Sequence, residues 1–307
     1  MIALGHINLD SFAPTEKGAE EDWNGILEAH RLMTRFLIRA TYGDVNDAEQ
    51  AGRLAANRRI GVGHLGVQGF LAKRGIRYSR APESDFPFDL ELMSEHVRDE
   101  ARSYAFELRI SEPVKVTTVA PTGTIAKLPG VSEGIHAIYS RFFERRVRFS
   151  LADPDQADTV NKAFAQGFAV EECVYDKSGN TAVVVYPTKD KLVAEVEAMG
   201  YPAEIVESQD ELTLDQLLAF QAMYQEHYAD NAVSFTANVP EGLDLDETAA
   251  TIKRWLPKLK GTTIMVDGTR EQAPYTRITA EQFAQYELTR IEDGTDEECS
   301  TGACPVR

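Results

Sequence analysis

Apolar positions along the chain switch repeatedly between a helical and a strand-like period. Residues 2–12 read as a strand and its exit. Residues 22–42 carry Ile26, Leu27, His30, Met33, Leu37 and Ile38 at mostly helical spacing, with Gly43 as a stop signal. Residues 47–57 form an Ala-rich helical stretch. Glycines at every second or third position over residues 58–70 then mark a tight strand and close packing. A long helix is expected over residues 90–107, with Leu92, Met93, Val97, Ala101, Tyr104 and Leu108 near one face. The β-branched run 116–119 reads as a short strand, and the basic, aromatic stretch 138–149 as extended. After a helix over 153–168, two strand-like arms, 170–175 and 181–186, flank Asp176-Lys-Ser-Gly-Asn180, a hairpin signal. Helices follow over 213–228, opened by a capping signal, and over 244–259, with Asp246 as the candidate cap. Strands are expected at 230–236 and 261–266, and one short helix after Thr279. No internal repeat is visible. The alternation predicts an α/β layer or barrel.

Composition narrows the class. A chain of 307 residues, 43% hydrophobic and 26% charged, has enough material for one large domain or two small ones and the profile of a soluble protein. No run approaches the roughly 18–20 apolar residues of a membrane span. The start, Met-Ile-Ala-Leu-Gly-His, lacks the basic and apolar regions of a signal peptide, which points to the cytoplasm. A formal net charge of −17 argues against direct nucleic-acid binding, although nucleotides held by local groups remain compatible with it. Basic clusters at Arg53, Arg58 and Arg59, and at Arg141, Arg145, Arg146 and Arg148, read as solvated faces. Three cysteines are too few for a disulfide scaffold. Cys173, at an apolar alternation, reads as a small buried hydrophobe.

Two stretches carry candidate chemistry. After the strand at 116–119, Pro121 removes a backbone donor and biases Ala120 towards extended geometry. Gly123 offers freedom at positive φ and leaves no Cβ in the way, while Thr122 and Thr124 set hydroxyls beside free amides. Such a loop suits a phosphate, because oriented N–H groups favour an anion; it is equally compatible with an ordinary Pro-Gly turn. At the other end, Cys299 and Cys304 lie on an acidic, apolar-poor stretch expected to be a mobile tail. Ser300, Thr301 and Gly302 allow a bend that brings the sulfurs to disulfide distance. Thiol–disulfide exchange is the favoured chemistry, against a zinc site or an incidental pair.

These stretches also carry a resemblance. Ala-Pro-Thr-Gly-Thr followed by Ser132-Glu-Gly-Ile-His136 looks like the substrate-phosphate loop of ribonucleotide reductases. The likeness is to the adenosylcobalamin-dependent class II, and within it to the monomeric triphosphate-reducing type. Leu4-Gly5-His6-Ile7-Asn8-Leu9 resembles the barrel strand Cys-Asn-Leu-Gly-Ser-Ile-Asn-Leu, with the family's cysteine position falling on Ile2. Arg58-Arg-Ile-Gly-Val-Gly63, Asp230-Asn-Ala-Val-Ser-Phe-Thr236 and Gln272-Ala-Pro-Tyr275 are similar to further family segments. The Cys-x4-Cys-Pro ending resembles the family's C-terminal redox shuttle. No GxGxxG pattern occurs in the register of a dinucleotide fold.

The resemblance implies a fold, an activity and a division of labour. The fold would be the C-terminal half of a ten-stranded α/β barrel over residues 1–290, with a redox tail over 291–307. The activity would be reduction of ribonucleotides, as triphosphates or diphosphates, by radical chemistry. Adenosylcobalamin would generate a cysteine thiyl radical that takes the 3′-hydrogen, a glutamate would assist loss of the 2′-hydroxyl, and two thiols would supply electrons. Thr122, Gly123, Thr124 and Ile125 would hold the phosphates. Cys299 and Cys304 would pass electrons from a thioredoxin-like reductant to the active-site disulfide. The family's Asn-x-Cys-x-Glu loop is nowhere in these 307 residues. The chain is therefore expected to act with an upstream chain or fragment that also binds most of the cofactor. The alternatives are a non-catalytic nucleotide-binding module and an inactive remnant of an interrupted reductase gene.

Overall fold

A computed structural model of the chain describes residues 3–43, 45–266 and 271–289. In order, these form β1 (Ala3–Asn8), α1 (Trp23–Ala40), α2 (Ala48–Asn57), β2 (Ile60–Leu65), α3 (Val67–Lys73) and α4 (Phe86–Leu108). There follow β3 (Phe142–Ser150), α5 (Pro154–Ala165), β4 (Ala169–Glu172), β5 (Thr181–Lys189) and α6 (Lys191–Ala198). The last group is α7 (Leu214–His227), β6 (Thr236–Val239), α8 (Leu245–Trp255), β7 (Thr263–Val266), β8 (Tyr275–Arg277) and α9 (Ala280–Thr289).

Five extended segments run parallel. β1 pairs with β2 in the register Leu4↔Gly61, and β6 pairs with β7 in the register Ala237↔Ile264. Between these pairs lies the expected strand at 116–119, tied by parallel bridges Val62↔Thr117 and Val119↔Val233. The Val62 amide donates to Val116 O at 2.8 Å, and the Ser234 amide to Val119 O at 2.8 Å. The order is thus β1, β2, 116–119, 231–239, β7. Helices fill the crossovers, as parallel pairing requires. The mixed α/β architecture agrees with the expected barrel half; no closed barrel is formed among the described residues.

The main core fills the space between this sheet and its helices. Ile26, Leu37 and Ile38 of α1, Leu90, Met93, Val97 and Ala101 of α4, and Leu217, Phe220 and Tyr224 of α7 are buried in it. Burial of this apolar stripe is the dominant stabilisation. Leu92, expected on the buried face of α4, is 38% exposed. The glycine run is explained by contact. A Cβ on Gly61 would lie 2.7 Å from Thr118 Cγ2, and one on Gly69 would lie 2.2 Å from Asp10 Oδ1. The run is not all strand, however. Gly66, at φ 72°, turns the chain into α3, so residues 67–70 are helical.

A second unit departs from the parallel pattern. β3, β4, β5 and β8 form an antiparallel sheet in the order β4-β5-β3-β8. The hairpin of β4 and β5 is present, with Glu172 opposite Ala182 and Ser178 N–H donating to Asp176 Oδ1 at 2.9 Å in the connection. Cys173, just after β4, is buried, as expected. Val147, Phe149, Val160, Ala163 and Val184 make the sheet's own small core against α5. Two local readings are corrected. Asp244, not Asp246, caps α8, accepting from the Glu247 amide at 2.9 Å. α6 lies in a stretch from which no helix was expected.

Candidate functional site

A cavity of about 1420 Å³ opens between the carboxyl ends of the parallel strands and the antiparallel sheet. One wall is the loop that leaves the central strand, with Pro121, Thr122, Gly123, Ser132 and His136. The opposite wall comes from β3, the end of β5 and the start of α6, and includes Arg145, Lys189, Asp190 and Lys191. Ligands of open parallel sheets sit in this position, where strands end and loops diverge.

The loop is built from short-range bonds. Thr122 O accepts from the Ala126 amide at 2.8 Å, and Thr124 opens a short 3₁₀ turn, Ile125–Lys127. Ser132 O accepts from the Gly66 amide at 2.9 Å, which fastens the loop to the start of α3. Tyr78 hydroxyl donates to Ile135 O at 2.8 Å. Gly123 is not at positive φ, contrary to expectation; Gly130 and Gly134 are, at 66° and 52°. The value of glycine at 123 is space alone, since an added Cβ would meet only Glu133 Oε2, at 3.4 Å, as its nearest neighbour.

Two hydroxyls in this wall have no hydrogen-bond partner although their oxygens are buried: Thr122 Oγ1 and Ser132 Oγ. Native structures satisfy most buried polar atoms, and both of these belong to residues that line the cavity. Among the described residues, the amides of residues 122–125 also donate to no protein acceptor. Thr122 is 3% exposed, whereas Thr124 and Ile125 are exposed and do not line the cavity. The loop therefore brings together Thr122 and Gly123 of the four expected phosphate residues. Ser132 was missed as a site residue, although it lies within the motif that signalled the loop.

The charges of the cavity are balanced in pairs. Lys127 Nζ lies 2.7 Å from Glu133 Oε1. Burial works against the Lys127 ammonium, but the hydrogen bond to Glu133 and the attraction of its charge together raise the pKa. Lys73 bridges Asp10 at 2.9 Å and Glu195 at 2.8 Å. Asp190 caps α6 through the Leu192 amide at 2.9 Å, and burial pushes its carboxyl up to about 6. Neither Asp190 nor Lys127 was expected at the site. No group of three or more His, Cys, Asp or Glu side chains among the described residues is placed to hold a metal. Cys299 and Cys304 lie outside the described residues.

Comparison with known proteins gives this cavity its context. Residues 3–99 match the family model of the ribonucleotide reductase barrel domain. A protein of Mycobacterium phage D29, provisionally named an adenosylcobalamin-dependent ribonucleoside-triphosphate reductase, is 54% identical over 99% of the chain and 44% of its own length. The chain is homologous to a portion of the ribonucleotide reductases. The adenosylcobalamin-dependent ribonucleoside-triphosphate reductase of Lactobacillus leichmannii is 27% identical over 94% of the chain and 42% of its length. Among solved structures, a B12-dependent class II ribonucleotide reductase superposes with a TM-score of 0.70 at 24% identity, covering 90% of this chain and 38% of its own. The alpha subunit of the Actinobacillus ureae class Id reductase gives 0.56 at 14% identity, covering 87% and 50%. Both share the fold. The chain spans less than half the length of these curated reductase relatives.

Proposed function

We propose that this chain is the C-terminal, substrate-phosphate part of an adenosylcobalamin-dependent ribonucleotide reductase, acting with an upstream chain or fragment in the cytoplasm to supply deoxyribonucleotides for DNA replication. The observation that carries this reading is the pair of buried, unpartnered hydroxyls, Thr122 Oγ1 and Ser132 Oγ, in a loop at the carboxyl end of the central parallel strand. Phosphate oxygens are acceptors that satisfy both hydroxyls and the open amides of Thr122 and Gly123. Gly123 leaves room for the phosphate to approach the backbone.

The residues around the cavity bind and orient; they do not perform the radical step. Thr122, Gly123 and Ser132 fix the phosphates of a ribonucleotide, and Lys191, bridged to Glu195, faces them from the other wall. Bound adenosylcobalamin supplies the radical in this chemistry. The orphan hydroxyls and paired charges of the cavity suit a phosphorylated ligand rather than a large corrin ring, so the cofactor's contacts are assigned to the upstream part. Cys299 and Cys304 carry electrons by thiol–disulfide exchange from a thioredoxin-like donor.

Calorimetric titration of a ribonucleoside triphosphate into wild type and Gly123→Val tests the phosphate assignment. Gly123 does not need positive φ, so the variant should fold normally. Its γ-carbons should weaken binding by about 1–3 kcal/mol through lost hydrogen bonds. Equal affinity of the two proteins would return the loop to the role of a turn.

A further inference from the structure

The His136 ring stands between the loop and the sheet, and both its nitrogens are engaged. The Thr236 amide donates to Nε2 at 3.0 Å, so Nε2 carries the lone pair. In the neutral ring the proton then sits on Nδ1, which donates to Glu133 O at 3.1 Å. The His136 amide donates to the same carbonyl at 2.8 Å. The ring lies flat on Phe235, with centroids 4.9 Å apart and planes 2° from parallel. Burial lowers the pKa of the ring, in keeping with a neutral imidazole.

This arrangement closes the turn of residues 133–136 on the face that meets the cavity. Gly134, at φ 52°, is held with its Cα face towards Thr122: an added Cβ would lie 3.5 Å from Thr122 Oγ1 and 3.8 Å from His136 Nδ1. The closed turn therefore packs against Thr122 Oγ1, one of the two orphan hydroxyls, while Ser132 is tied separately to the start of α3 through the Gly66 amide. We propose that His136, as the Nδ1–H tautomer bridging Glu133 O and the Thr236 amide, is the positioning residue that holds the turn against Thr122 and so fixes the Thr122 hydroxyl for phosphate. The inference rests on the phosphate reading above.

The test uses the full chain with inorganic triphosphate as the probe. Imidazole ¹⁵N shifts of wild type report the tautomer directly, and hydrogen exchange reports the Thr236 amide. His136→Phe keeps a stacking ring and loses both hydrogen bonds; it should weaken triphosphate binding about tenfold. His136→Gln returns an acceptor near the Nε2 position; it should protect the Thr236 amide and bind within about threefold of wild type. An Nε2–H tautomer, unchanged affinity in His136→Phe, or a His136→Gln no better than His136→Phe would overturn the inference. Should His136→Phe fail to fold, the tautomer and the His136→Gln affinity decide it by the same limits. Absence of triphosphate binding by wild type would overturn the phosphate reading itself, and this inference with it.

Discussion

Thr122→Val should stabilise the empty protein and weaken its ligand, and these opposite signs make it the sharpest test of the site. The side chain is 3% exposed and its hydroxyl oxygen has no partner. A buried hydroxyl left unsatisfied costs about 1–3 kcal/mol relative to one that is bonded. Valine has the same branched shape, so it keeps the packing and removes the unsatisfied oxygen. The hydroxyl borders an open cavity, which admits water and places the gain at the lower end, about 1 kcal/mol. For a chain of this size, that raises Tm by roughly 2 °C. The ligand should respond the other way. A hydrogen bond to a charged oxygen contributes about 1.5–3 kcal/mol, so triphosphate affinity should fall about tenfold or more. Denaturant unfolding in phosphate-free buffer gives the first quantity and calorimetry the second. A variant that unfolds more easily than wild type would mean that Thr122 Oγ1 is already satisfied. A variant that binds triphosphate as wild type does would remove Thr122 from the site.

Acid should also destabilise the fold through His30. Its Nδ1 meets Ile26 O at 2.7 Å, its Nε2 meets His64 Nε2 at 2.9 Å, and burial lowers its pKa to about 4. The unfolded state then binds a proton that the folded state refuses, so stability should fall between about pH 6.5 and 4, by about 3 kcal/mol from this group. Asp190 acts in the opposite sense, since its carboxyl, raised to about 6, gains folded-state stability on protonation. Asp190→Asn keeps a good cap and should steepen the acid loss; urea titrations across this range that show no steepening would contradict the assignment. In the assembled enzyme, replacing Cys299 and Cys304 together by Ser should leave the first turnover intact and abolish repeated turnover driven by thioredoxin. A small dithiol should restore part of the rate. Full thioredoxin-driven turnover, counted per active site, would reject the shuttle.

Local chemistry was legible in the sequence where its partners are near in the chain. Asp22, Asp47 and Thr213 cap α1, α2 and α7 because an Asp or Thr side chain needs an amide only two or three residues on. The same rule pointed to Asp246, which stands in the first turn; the extended backbone at Asp244, φ −63° and ψ 121°, makes Asp244 the cap instead. The glycine run announced close packing but not its own end. Whether Gly66 continues a strand or turns into α3 depends on Asn8 and Asp10, which occupy the space beside it. β8 meets β3 through Tyr275↔Arg145, a pairing across 130 positions that no local pattern encodes. The loop of residues 121–136 was readable because Pro, Gly and Thr state their backbone needs locally. The far wall, with Asp190 and Lys191 at the end of β5, was not, because its position follows from the antiparallel sheet as a whole.

The order of the strands accounts for the position of the loop. Residues 116–119 have β2 on one side and 231–235 on the other, so their end is held from both sides at the middle of the five strands. A loop leaving this strand starts from a fixed point, and its return is pinned by Gln68 Oε1 accepting from the Ile138 amide at 2.6 Å. Between the central strand and its neighbour at 231–235 the chain makes three strands of the antiparallel sheet, β3, β4 and β5, together with α5, α6 and α7. A crossover this long has room to carry a whole second wall over the strand ends. The same connection that makes the pairing parallel thus delivers Arg145, Lys189 and Lys191 opposite the hydroxyls of the loop. Open donors on the loop and the carboxylate-paired cations of the far wall, Lys189 with Glu197 and Lys191 with Glu195, then face one cavity from two sides.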